Sequence, residues 1–160
     1  MILKNKGEFF CRKTVERCYF GDNTWHYLTA KCFMSIHPDP KINRLNVLGE
    51  PLASCCYDPI TGYFRNGFCH TSVTDVGQHT MCAQMTSDFL NFSQKVGNDL
   101  ITPLPEVGFP GLKPGDFWCI CVTRWVEAYQ AGQAPPIKLN ACHNAVLHYV
   151  PLNILVEYAV

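Results

Sequence analysis

Charge is scarce in this chain. Asp, Glu, Lys and Arg make up 16% of the residues, against roughly 25% in an average soluble chain. A strongly electrostatic surface is therefore not expected. Long hydrophobic runs are missing too: no stretch of about 18 apolar residues exists to form a membrane-spanning helix. Several signatures of known chemistry are absent. There is no Cys-x-x-Cys, no His-x-x-x-His, no His-Glu-x-x-His and no Gly-x-Ser-x-Gly. These absences argue against a zinc knuckle, a zincin helix and a serine-hydrolase elbow. Internal repeats, low-complexity tracts and a βαβ alternation are lacking as well, which leaves an α+β domain as the expected class. The N-terminus has no apolar signal core, because Phe9 and Phe10 run straight into Cys11, Arg12 and Lys13. A cytoplasmic protein with reduced thiols is the expectation from that feature.

Cysteine, by contrast, is abundant, with ten residues in 160. The charges that exist are unevenly spread. Residues 1–44 hold 8 basic and 4 acidic groups, residues 45–160 hold 5 and 9. The acidic balance of the larger part gives no footprint for nucleic acid. Residues 1–33 show no sustained period and few turn signals. They read as an appendage, with residues 1–42 preceding one globular domain at 43–160.

The densest stretch runs from Gly108 to Trp125. Gly108, Pro110, Gly111, Pro114 and Gly115 build successive turns. The apolar run that follows predicts a buried strand over 117–122, with Cys119 and Cys121 on one face. Thr123 is placed to cap a helix over about 123–131, and Gly132 to end it. Met85, Phe89, Phe92 and Val96 form the stripe of a helix over about 86–97, capped by Thr86 or Ser87. A short strand is expected at 137–139 and further helices at about 141–149 and 151–159. Residues 98–116 form a long loop, a common place for function.

Several segments resemble one family. They are Asn46-Val47-Leu48-Gly49-Glu50-Pro51-Leu52, Asp58-Pro59 with Thr61-Gly62, Asp75-Val76-Gly77 with His79-Thr80, and Gly97-Asn98-Asp99-Leu100. The 108–125 stretch and Ala134-Pro135-Pro136 with His143 join them. Over about residues 43–160 the chain is similar to the family of domain of unknown function 2237. The resemblance implies a single small domain and no particular activity. Cys55, Cys69, Cys82, Cys119 and Cys121 match its cysteines, and His79 and His143 its histidines. Cys56 and Cys142 stand where the family pattern differs, so they are weaker candidates.

Three roles are open for these groups. Cys119, Cys121, Cys82, His79 and His143 are candidate metal ligands, for zinc or iron. Cys82 and His79 are a candidate nucleophile and base. They are neighbours if their segment is helical and oppose each other if it is a strand. Buried cysteines can also be plain packing residues. Asp75, Asp99 and Asp116 suit either the orientation of a histidine or the capping of turns. Asp99, Lys113 and Trp118 are candidates for holding a small molecule. Two functions result: a Cys/His site that binds a metal or performs thiol chemistry, or a non-catalytic module that binds a small molecule or protein through residues 98–116. Neither nucleic acid nor membrane is an expected partner.

Overall fold

A computed structural model describes residues 44–160. The expected appendage, including Phe9, Phe10 and Trp25, lies outside the described residues. The architecture is α+β. Strand β1 (Met81–Gln84) is followed by helix α1 (Ser87–Lys95), strand β2 (Phe117–Ile120), helix α2 (Val122–Gln130) and helix α3 (Leu152–Glu157). The two strands pair antiparallel, Met81 opposite Ile120 and Cys82 opposite Cys119. Met81, Cys82, Ala83, Cys119 and Ile120 are all buried, so both faces of the ribbon are covered.

Local chemistry accounts for these elements. Helix α1 begins where the Thr86 hydroxyl accepts the Phe89 N–H at 3.1 Å. It ends just before Gly97, whose φ of 86° suits a residue without Cβ. Phe89 and Leu90 turn its buried face to the core. Helix α2 buries Val122, Trp125 and Ala128. The indole N–H of Trp125 donates to the Pro135 carbonyl at 3.0 Å, so the polar end of this core side chain is satisfied.

Several boundaries differ from the sequence expectation. Strand β2 stops at Ile120, because the Cys121 carbonyl already accepts the Arg124 and Trp125 N–H groups of a helical turn. Cys121, not Thr123, is the N-cap residue of α2, and it makes no side-chain capping bond. Residues 137–139 form no strand. Ile137 makes isolated bridges to Ala83 and Ala159. The helix expected at 141–149 is two short 3-10 turns, Leu139–Ala141 and Asn144–His148, separated at Cys142 and His143. The expected last helix is Leu152–Glu157, with Pro151 at its N-cap. Residues 44–80 have turns and isolated bridges but no strand or helix. Among the described residues no helix is long and apolar enough to cross a membrane.

Candidate functional site

The site begins with a tight turn. The Asp75 N–H donates to the Ser72 carbonyl and the Gln78 N–H to the Asp75 carbonyl, both at 3.0 Å. Gln78 takes a φ of 49°, in the left-handed region. The turn folds back on the Asp75 carboxylate, which is buried. Its Oδ2 accepts the His79 N–H at 2.8 Å and the Thr71 hydroxyl at 3.1 Å. Its Oδ1 lies 2.7 Å from His79 Nδ1. One carboxylate thus fixes both the backbone and the ring of His79.

The other half comes from the start of α2. The Val122 N–H donates to the Gln78 carbonyl at 3.1 Å, pinning the turn to the helix N-terminus. Extending the β1–β2 register one residue past Met81 and Ile120 sets Cys121 opposite Thr80, next to His79. The result is a contact of 3.3 Å between Cys121 Sγ and His79 Nε2. Tyr63 stacks on the imidazole at a centroid distance of 6.0 Å, and its hydroxyl donates to the Thr74 carbonyl. Gly77 faces both side chains. A Cβ there would stand 2.9 Å from Cys121 Sγ and 3.0 Å from His79 Cε1.

The electrostatics follow from this arrangement. His79 is raised from 6.5 to about 9, chiefly by its hydrogen bond with Cys121, against the opposing cost of burial and with help from Asp75. Cys121 is partly exposed, so the site is open to solvent on one side. Asp75, His79 and Cys121 thus form a thiol–imidazole–carboxylate chain with each ring nitrogen engaged.

A second group of thiols lies in the core. Cys55 is bonded to Cys82 and Cys69 to Cys119, with Cα separations of 5.6 and 5.3 Å. The expectation of ten reduced thiols is thus overturned at four positions. Cysteine pairing depends on how distant segments meet, which spacing along the chain does not reveal. Cys82 is committed to this disulfide and is not the thiol that meets His79. Its segment is a strand, and the partner of His79 is Cys121. Cys119 and Cys121 likewise part company. Cys119 enters the disulfide core and Cys121 joins the histidine, because β2 ends between them.

The remaining candidates are placed as follows. His143 is buried, and its Nδ1 accepts the Ala145 N–H at 3.1 Å as the cap of a 3-10 turn. Asp99 caps a turn, with Oδ1 accepting the N–H groups of Ile101 and Thr102 and Oδ2 the Thr102 hydroxyl. Those bonds hold its carboxyl well below the usual carboxylate range. Trp118 is buried, edge-on to Phe109, with the Arg65 guanidinium 4.9 Å from its ring centroid. Lys113 lines an open cleft of about 580 Å³ between residues 57–60 and the loop, together with Tyr57, Asp58, Gly111 and Asp116. The Lys113 N–H donates to Asp116 Oδ2. Cys142 is buried, and burial pushes its thiol up to about 12.

Residues 45–159 match the family model described as "Uncharacterized protein conserved in bacteria (DUF2237)". No curated protein matches the chain. The match covers well over half of the sequence, and the chain belongs to this family.

Proposed function

For this member of the family, we propose thiol-dependent acyl chemistry: Cys121 is the nucleophile, His79 the general base and acid, and Asp75 the group that orients His79. The chain of contacts from Asp75 Oδ1 through His79 to Cys121 Sγ, at 2.7 and 3.3 Å, carries this proposal. A nucleophile, a base within reach and a third group that fixes the base are what such a reaction needs. The sulfur also stands at the start of a helix of more than two turns, where N–H groups lack intrahelical acceptors and the helix dipole favours negative charge.

The steps balance without a cofactor. Cys121 Sγ, with its proton passed to His79 Nε2, attacks the carbonyl carbon of an ester or thioester. The carbonyl electron pair moves to oxygen, and the positive end of the α2 dipole stabilises the charge that develops there. Collapse expels the alcohol or thiol, which takes the proton from His79. Water then attacks the acyl-Cys121 with His79 as base, releasing the acid and restoring the thiol. Asp75 holds the Nδ1–H tautomer throughout. The chemistry requires a reduced Cys121, which a reducing compartment such as the cytoplasm preserves.

An activated ester such as p-nitrophenyl acetate tests this. A burst of one p-nitrophenol per chain is expected, with an acetyl mass increment on the peptide containing Cys121. Cys121→Ser should remove both, and His79→Ala should slow the burst by about 100-fold. A burst that survives in Cys121→Ser, or label on other residues only, would defeat the proposal.

The cleft beside Lys113 favours a second role, the binding of a small molecule by the 98–116 loop. Gly111 has a φ of 75°, and a Cβ there would collide with the Ile101 carbonyl oxygen. A ligand held in the cleft should lose affinity in Gly111→Val and Lys113→Ala but not in Cys121→Ser. The opposite pattern in calorimetry would assign that ligand to the thiol site.

A further inference from the structure

The core cysteines are more than two separate cross-links. They come from four places: the loop at 55, the loop at 69, strand β1 and strand β2. All four are buried, at 6, 0, 0 and 1% exposure for Cys55, Cys69, Cys82 and Cys119. The Sγ atoms of Cys55, Cys69 and Cys119 all lie within 4.8 Å of one another, although Cys55 belongs to the other disulfide. Cys82 Sγ is bonded to Cys55, so the fourth sulfur adjoins this group of three. Cys82 and Cys119 face each other across the ribbon, which fixes two corners of it.

We propose that this cluster, once reduced, is a tetrathiolate zinc site formed by Cys55, Cys69, Cys82 and Cys119. A tetrahedral ion with zinc–sulfur bonds near 2.3 Å needs sulfurs about 3.8 Å apart. The Cys55, Cys69 and Cys119 sulfurs already lie within 4.8 Å of one another, and breaking the two S–S bonds lets the bonded sulfurs separate toward the distance a tetrahedral ion needs. Four thiolates around one centre select zinc or iron over harder ions. Residues 44–80 supply no strand or helix of their own, yet they contribute Cys55 and Cys69. Those two residues fasten the irregular segment to the ribbon that carries Cys82 and Cys119. A disulfide pair does this under oxidising conditions. In a reducing compartment disulfides are rare, and clustered cysteines there are more often metal ligands. The metal would do the same fastening in the reduced state. The backbone is held nearby by the Cys119 N–H, which donates to the buried Thr61 hydroxyl at 2.8 Å.

Each disulfide takes two electrons and two protons from one dithiol reductant, which is itself oxidised to a disulfide. Four thiols result. Binding of one Zn²⁺ releases four protons and leaves a tetrathiolate complex. The site is independent of Cys121, which lies at the solvent-facing start of α2.

The test uses the full chain reduced with dithiothreitol, freed of reductant without oxygen, and titrated with zinc or cobalt chloride. One metal per chain is expected, and the cobalt form should show thiolate charge-transfer and tetrahedral ligand-field bands. A variant with Cys11, Cys18, Cys32, Cys56 and Cys121 replaced by serine should bind equally. Cys69→Ser/Cys119→Ser should lose the bands, and bound zinc should slow re-formation of both disulfides in the unmutated chain at least tenfold. Failure of the reduced unmutated chain to retain metal would overturn the proposal. So would cobalt bands that persist in Cys69→Ser/Cys119→Ser or vanish in the five-serine variant. Metal retention and the rate of disulfide re-formation in the unmutated chain test the site even if the double variant does not fold.

Discussion

Cys121 Sγ and His79 Nε2 stand 3.3 Å apart, although 42 residues separate them in the chain. The pairing requires two things at once: a strand register that aligns the ends of β1 and β2, and a turn that presents the ring.

Thiol reactivity should single out Cys121. In the unreduced native protein, iodoacetamide should alkylate Cys121 faster than Cys56, and Cys142 should resist until unfolding. Cys56 Sγ donates to the Asp58 carbonyl at 3.1 Å, whereas Cys142 is fully buried. Peptide mass spectrometry over a time course gives the order. Asp75→Asn should slow the Cys121 rate by about 10-fold or more, because the imidazole loses its anionic partner. Equal rates at Cys121 and Cys142 would contradict the order of exposure.

The imidazole should titrate late. His79 stays protonated to about 9, compared with its ordinary 6.5. The folded state therefore holds more protons than the unfolded state between those values. The stabilisation is fully present below about pH 6.5 and is lost as pH rises through about 9. Urea midpoints should fall across that window in the unmutated chain and change less in His79→Ala. An NMR titration of the His79 Cε1 proton should report the same midpoint. A midpoint near 6.5 would mean that the Cys121 contact does not persist in solution.

Space at Gly77 should be required for the contact. Gly77 has no unusual φ, so Gly77→Ala adds only a methyl group, aimed at Cys121 and His79. Crowding of this kind costs about 1–3 kcal/mol when neighbours cannot move. Some relief is available by parting sulfur and ring, so a loss at the low end is expected, with slowed Cys121 alkylation. A chain with unchanged alkylation and stability would show that this corner is looser than its distances imply.

The cap of α1 offers a test unconnected with chemistry. Thr86→Ala removes the hydroxyl that accepts the Phe89 N–H. A loss of about 1 kcal/mol is expected in denaturant unfolding. The Cys121 alkylation rate should not change, since α1 contributes no residue to the thiol site.

Helices α1 and α2 were legible in the sequence because their signals are local. Thr86, the Phe89 stripe and Gly97 bracket α1 within a dozen residues, and the Trp125 stripe with Gly132 does the same for α2. The burial of β2 followed from an unbroken apolar run. The family followed from segments that read the same wherever the chain folds them. The end of β2 was not legible, since Cys121 continues the apolar run. Only the bond from Val122 to Gln78 and the first helical turn show that the strand has stopped.

By itself the sequence determined the candidates for chemistry: it holds His79, Cys82, Cys119 and Cys121 as possible site groups, with Asp75 suited to orient a histidine. Their partnerships were decided by tertiary structure alone. The spacing of His79 and Cys82 leaves open whether they meet, and the structure pairs Cys82 with Cys55 and sets Cys121 beside the histidine. A cysteine predicted on the same strand face as Cys121 pairs instead with Cys69. A disulfide or a hydrogen bond depends on distances of a few ångströms in space. Strand register and turn geometry set those distances between segments 27 to 50 residues apart, and no local pattern of residue types encodes them.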